Sequence, residues 1–225
     1  MPLVFDLDDT LYDESTFVDS GFGAVAAMLE SRLGISATVL HDRMRAVLRE
    51  QGRGRVFNVV LAEHDADDPA LVAACVETYR THEPAIALHP DVRAMLEELA
   101  PRGLYLVTDG DPDVQARKIA ALGLAPYFVE TYRTWSFGRE AGKPSLFCFD
   151  LIRTREGCAW ADLTYVGDDP SKDFVKLRAM GARTVRVHTG RCADAPAAPG
   201  FDADEHVAAV TDVPMLLGLA SGSGG

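Results

Sequence analysis

Apolar residues follow two distinct spacings along the chain. Residues 2–6, 104–108, 163–167 and 184–187 are short apolar or β-branched runs bounded by turn-forming residues, the pattern of strands covered on both faces. Residues 90–100, 112–122, 145–154 and 171–180 instead carry apolar positions at helical spacing. Alternation of this kind predicts an α/β domain: a Rossmann-like parallel sheet with crossover helices on both faces. The stretches 17–33, 37–48, 56–62 and 71–79 also have helical spacing, and no strand pattern interrupts them. The expected organisation is therefore an α/β core over residues 1–13 and 86–220, with a helical domain inserted over 14–85. Residues 221–225 are small and polar and read as a flexible tail.

Three of the expected strands run straight into polar residues. These are Asp6-Leu7-Asp8-Asp9-Thr10, Thr108-Asp109-Gly110 and Gly167-Asp168-Asp169. Ligands of open parallel sheets bind at the carboxyl ends of the strands, so the three clusters should converge in space. Asp, Thr and Gly also make good turns, which accounts for any one cluster. It does not account for several carboxylates at one rim, where they repel unless a cation joins them. Hard oxygen ligands suit Mg2+, and Asp6 with Asp168 is the natural pair to hold it. Asp6 can attack phosphorus as a nucleophile, and Asp8 can protonate a departing alkoxide and later deprotonate water. Phosphoryl transfer otherwise needs donors for the equatorial oxygens. Thr108, the backbone amides around Asp109 and Gly110, and Lys143 at an expected helix start are candidates. Taken alone, Lys143 reads as a solvated surface lysine.

Composition narrows the partners. The 225 residues carry a formal net charge of -12 at pH 7, which disfavours nucleic acid and anionic membrane as partners. A small phosphorylated metabolite remains compatible, because a bound cation and a few basic groups reverse the field inside a cleft. Four scattered cysteines lack metal or disulfide spacing and read as reduced thiols. No apolar run approaches a membrane span, and the amino-terminal segment enters a strand without the features of a leader. A cytoplasmic protein is expected, either monomer or homodimer.

The ordered series Asp6-Leu7-Asp8-Asp9-Thr10, Thr108, Lys143-Pro144 and Gly167-Asp168-Asp169-Pro170-Ser171-Lys172-Asp173 resembles the four motifs of the haloacid dehalogenase superfamily. The insertion is similar to that family's first-type helical cap. The resemblance implies that Asp6 is nucleophile and metal ligand, and that Asp8 is the acid/base with its backbone carbonyl on the metal. It implies that Thr108 and Lys143 hold phosphate and that Asp168 is the acidic metal ligand. Asp173 then supports the metal through a water or through Lys143. Asp169 stays an alternate to its neighbour, since adjacent carboxylates cannot be ranked from sequence.

Single residues separate the superfamily's reactions. Asp8 disfavours dehalogenation, which needs no leaving-group acid. The chain's lysines are Lys118, Lys143, Lys172 and Lys176, so the expected cap lacks the lysine that phosphonatases use. A phosphatase acting on a small soluble phosphomonoester is the leading reading, with a sugar phosphomutase and a catalytically silent binding protein as alternatives. In the insertion, Arg53, Arg55 and Phe57 form a basic and aromatic turn. These residues either grip the substrate or form a solvated loop with Phe57 in the insertion's core. His82 and His89 read as surface residues, and Trp135 and Phe137 as packing beneath the lysine loop.

Overall fold

Strands β1 (Leu3–Phe5), β2 (Leu104–Thr108), β3 (Phe128–Arg133), β4 (Thr164–Gly167), β5 (Arg183–Val187) and β6 (Glu205–Val207) form one sheet, seen in a computed structural model that describes residues 1–219. The flexible tail expected at 221–225 lies outside the described residues. Strand order is β3-β2-β1-β4-β5-β6 and every neighbouring pair is parallel. Successive crossovers lead from β1 to β2 and β3 on one side, then return to β4, β5 and β6 on the other. The sheet therefore has a switch point at β1, where the flanking loops diverge and open a crevice.

β1, β2 and β4 are buried along their whole length, as continuous apolar runs in a parallel sheet must be. One sheet face sets Val4, Tyr105, Val107 and Tyr165 against Cys148, Phe149 and Ile152 of α7 (Phe147–Glu156) and Leu177 of α8 (Val175–Ala179). The Phe149 ring meets Tyr165 edge-on, with centroids 5.0 Å apart. Truncating so enclosed a side chain to alanine costs about 3–5 kcal/mol. Alternation sends Phe5 to the opposite face, where its ring meets Phe128. Two more helices belong to this unit between β1 and β3: α5 (Pro90–Leu99) and α6 (Pro112–Ala121). α6 starts where Asp111 accepts from the Asp113 and Val114 amides and Pro112 takes the first helical position. A short α9 (Val213–Leu216) closes the described chain.

Two strands escape the apolar pattern. β3 and β6 lie at the sheet's edges, and exposed polar and charged residues interrupt them where an apolar run would otherwise stand. The helix expected over 171–180 is also shorter. Residues 171–174 form a turn in which the Lys172 and Asp173 amides donate to the Asp169 carbonyl, and helix begins only at Val175.

The chain divides into two compact units, Ser15–Ile86 and the remainder. The smaller unit comprises most of α1 (Glu14–Leu33), with α2 (Ala37–Gln51), α3 (Val56–Ala62) and α4 (Pro69–Thr81). Val25, Leu29, Leu40, Met44, Val47, Val60, Leu61 and Cys75 meet in its interior. Gly52 ends α2 at φ 74°, a left-handed value that favours glycine. His82 is not the surface residue expected. It is buried against the Phe17 ring at 5.0 Å, with Nδ1 2.7 Å from the Tyr79 carbonyl. No helix among the described residues is long and apolar enough to cross a membrane.

Candidate active site

The switch point gathers the polar strand ends. Asp6 follows β1, Thr108 ends β2 and Asp168 follows β4, the two strands that flank β1. The Asp6 amide donates to the Val166 carbonyl at 2.8 Å, which pins the first of these loops to β4. Carboxylate oxygens of Asp6, Asp168 and Asp173 all lie within 4.8 Å of one another, and all three residues are buried. Gly167 permits this approach, because a Cβ there would stand 2.6 Å from Asp173 Oδ2.

One cation is already inside the cluster. Lys143 Nζ lies 2.9 Å from Asp6 Oδ2 and 2.8 Å from Asp173 Oδ1. It also donates to the Tyr165 hydroxyl at 2.8 Å, and that hydroxyl donates to Asp173 at 3.3 Å. Burial alone would lower the Lys143 ammonium, yet Asp173 and Asp6 hold it well above the ordinary lysine value. Lys143 is therefore the charged partner of a buried cluster and not a solvated surface lysine. Contrary to expectation, Lys143 does not begin a helix: α7 starts at Phe147, and Lys143 sits in the preceding turn, where the Ser145 amide donates to the Gly142 carbonyl. Its charge acts by contact rather than through a helix end.

A single lysine does not neutralise three carboxyls. Burial pushes Asp6 up to about 6, with Lys143 opposing and Asp173 reinforcing the shift. Asp168 is pushed up to about 8, first by burial and then by the Asp6 and Asp173 carboxylates. Its Oδ2 atom is buried without a hydrogen-bond partner. An orphaned carboxylate oxygen among hard oxygen donors fits a divalent cation such as magnesium, with Asp6 and Asp168 as the residues to hold it.

Asp8 turns elsewhere. Its carboxylate accepts from the Tyr12 hydroxyl at 2.7 Å, from Lys118 at 2.8 Å and from the Gln115 amide at 3.0 Å. Gln115 donates to Thr108 Oγ1 as well, at 2.5 Å. The Asp109 carboxylate accepts from the Thr134 hydroxyl at 2.7 Å and from the Lys143 amide at 3.1 Å, with Lys172 Nζ 3.4 Å away. Burial would raise Asp109, but Lys143 and Lys172 more than offset it and hold the group below the usual carboxylate range. Gly110 turns the chain at φ 129°. Asp169 is not part of the carboxylate cluster. Its side chain accepts from the Ser171 amide at 3.0 Å and hydroxyl at 2.6 Å, and from the Arg191 guanidinium at 3.1 Å.

The basic turn of the helical unit divides. Arg53 and Phe57 line a cavity of about 310 Å³ with Val18, Phe22, Tyr79 and Arg80, whereas Arg55 does not line it. Sequence reasoning missed Tyr12, Gln115, Lys118 and Tyr165. Tyr165 carried a usable signal, since a tyrosine inside a fully buried strand needs a partner for its hydroxyl. Gln115 and Lys118 stand three apart on α6 and so share a face, but nothing local marks that face as buried.

The model of the haloacid dehalogenase-like hydrolase family matches residues 3–181, a span that includes every one of these strand ends. The chain belongs to this family. This hydrolase is 32% identical over 201 residues to glyceraldehyde 3-phosphate phosphatase of Methanocaldococcus jannaschii, a match covering 85% of this chain and 86% of that protein. It is 33% identical to the enzyme of the same name from Methanopyrus kandleri, with 85% of each chain covered. Its fold is similar to that of a magnesium-bound HAD hydrolase from Bacillus subtilis. That match has a TM-score of 0.66 and 18% identity, and covers 96% of this chain and 97% of the other.

Proposed function

We propose that this hydrolase is a magnesium-dependent phosphatase that cleaves a small soluble phosphomonoester through an aspartyl-phosphate on Asp6. The observation that carries the reading is the geometry at β1. A buried carboxylate touches a buried lysine, and a second carboxylate two residues on is held apart from it by its own donors. A phosphatase needs those two roles on separate groups, a nucleophile and an acid/base.

Asp6 attacks phosphorus as the ester oxygen departs. Lys143 keeps Asp6 ionised and offers its charge to the transferring group, while Thr108 and the amides around Asp109 and Gly110 supply further donors. Asp8 gives a proton to the leaving alkoxide, then takes one from the water that attacks the aspartyl-phosphate. Asp173 holds Lys143, and through it Asp6, in place. Asp6, Asp168 and the Asp8 backbone carbonyl would hold magnesium, which would supply charge neutralisation at the phosphate. Glyceraldehyde 3-phosphate is the first substrate to try, given the names of the two archaeal relatives. A metabolic enzyme of the cytoplasm is consistent with such a substrate.

Phosphate release from glyceraldehyde 3-phosphate, phosphoserine, sugar phosphates, nucleotides and 4-nitrophenyl phosphate, with magnesium and with EDTA, tests the reading. Release that requires magnesium and vanishes in Asp6→Asn is expected. Equal release in EDTA, or turnover by pure Asp6→Asn, refutes it.

A further inference from the structure

The proposed acid/base Asp8 is held by an unusually complete set of buried donors. Lys118 and Gln115 are 3% and 2% exposed, although both residue types usually reach solvent. They stand three apart on α6 and so project from one side of it. Lys118 Nζ lies 2.8 Å from Asp8 Oδ1, and the Tyr12 hydroxyl lies 2.7 Å from the same oxygen. Gln115 takes the other oxygen, Oδ2, at 3.0 Å. With both oxygens engaged from fixed elements, the carboxylate is held in one orientation. Gln115 also reaches Thr108 Oγ1, so one side chain ties the acid/base to a proposed phosphate holder. Lys118 in turn stands 3.5 Å from Glu14, a second acidic neighbour that helps hold the ammonium in place.

Burying a lysine and a glutamine costs free energy that a solvated residue would not incur, and the core packing does not need their polar ends. We infer that Lys118 and Gln115 are positioning residues for Asp8: α6 clamps the carboxylate so that its proton is aimed at the leaving oxygen. This rests on the acid/base reading of Asp8. The clamp acts through orientation, since proton transfer requires the donor oxygen within hydrogen-bond reach of the departing oxygen. Release of either oxygen lets the carboxylate rotate away.

The test compares kcat/KM for two esters, glyceraldehyde 3-phosphate and 4-nitrophenyl phosphate. This constant reports steps up to departure of the leaving group, so later hydrolysis of the aspartyl-phosphate does not enter it. An alkoxide needs a proton to leave and a nitrophenolate does not. General acid catalysis supplies about 10²–10⁴-fold, and misalignment should forfeit part of it. In Lys118→Met and Gln115→Met the ratio of alkyl to aryl kcat/KM is expected to fall about 10- to 100-fold, in the direction of Asp8→Asn. Lys118→Arg, which can still donate to Oδ1, should recover much of the ratio. A loosened fold would lower both constants together and leave the ratio where it was. Gln115→Met changes no charge and keeps the question answerable if Lys118→Met does not fold. A ratio that moves in Asp8→Asn but not in Gln115→Met or a folded Lys118 variant overturns the clamp alone. A ratio that does not move in Asp8→Asn overturns the acid/base reading, and the clamp with it.

Discussion

Replacing Asp168 by asparagine should stabilise the protein when no divalent cation is present. Asp168 has an ordinary carboxyl value of 3.8 that burial and two neighbouring carboxylates push up to about 8. Between these values the native state binds more protons than the unfolded chain. The derivative of unfolding free energy with pH is then negative, so stability falls as pH rises from about 4 to about 8. At pH 7 the medium stands roughly three pH units above the ordinary value, and at about 1.36 kcal/mol per unit the loss is about 4 kcal/mol. Asparagine carries no charge and escapes this term. Its amide must still find partners, a cost of about 1–3 kcal/mol. The net gain is about 1–3 kcal/mol, which raises Tm by about 2–12 °C in a chain of this size.

Thermal melting of both proteins at pH 7, in EDTA and in excess magnesium, measures this directly. Wild type should gain about 2.7 kcal/mol when magnesium stands at a hundred times its Kd, and Asp168→Asn should gain little. Magnesium thus closes most of the gap between the two proteins, and reverses their ranking wherever that gap is below about 2.7 kcal/mol. In EDTA, the wild-type Tm should also fall between pH 5 and pH 8 more steeply than that of the variant. An Asp168→Asn protein that melts below wild type in EDTA, or that gains as much from magnesium, would show that the cluster is not strained by uncompensated charge.

Asp6→Asn should abolish steady turnover of any phosphomonoester while the melting curve keeps its cooperativity, as read by phosphate release on protein checked for deamidation. Lys143→Met leaves Asp6 and Asp173 buried without their shared cation, a loss of about 3–5 kcal/mol that urea unfolding in EDTA would read. Arg53→Ala should raise KM more than it lowers kcat, because Arg53 lines the cavity of the helical unit, while Arg55→Ala should leave both near wild type. Equal effects of the two arginines on KM would remove that cavity from substrate recognition.

The apolar runs of β1, β2, β4 and β5 could be read from the sequence because strands buried on both faces need no polar alternation. β3 and β6 could not. They are edge strands, paired on one side only, and Glu130 and His206 sit within them at positions that face solvent. Their assignment depends on the neighbouring strand, which no local pattern shows. The same limit applies to Lys118 and His82, both buried by tertiary contacts that their sequence neighbourhoods do not announce. The strand-end aspartates were legible for the opposite reason: parallel topology alone brings the ends of β1, β2 and β4 to one rim.

The two Asp-Asp pairs show where reading by residue type stops. In Asp8-Asp9 and in Asp168-Asp169, all four carboxylates are acidic and all sit just past a strand. Structure divides each pair by its partners. Asp8 faces the donors of α6, and Asp168 faces Asp6 and Asp173. Asp9 holds φ 55°, and its carboxylate accepts from the Glu14 amide at 3.0 Å and the Arg191 amide at 3.2 Å. Asp169 accepts from the guanidinium of that same arginine. Gly190 makes the contact possible, because a Cβ there would overlap the Asp9 side chain. Arg191, in the segment after β5, thus bonds to the second aspartate of each pair, and each first aspartate is left to the site. Asp9 and Asp169 are spent on Arg191 and on nearby amides, and the orphaned oxygen of Asp168 marks a group still available to a ligand. That distinction rests on hydrogen-bond partners, which the order of residues along a chain does not contain.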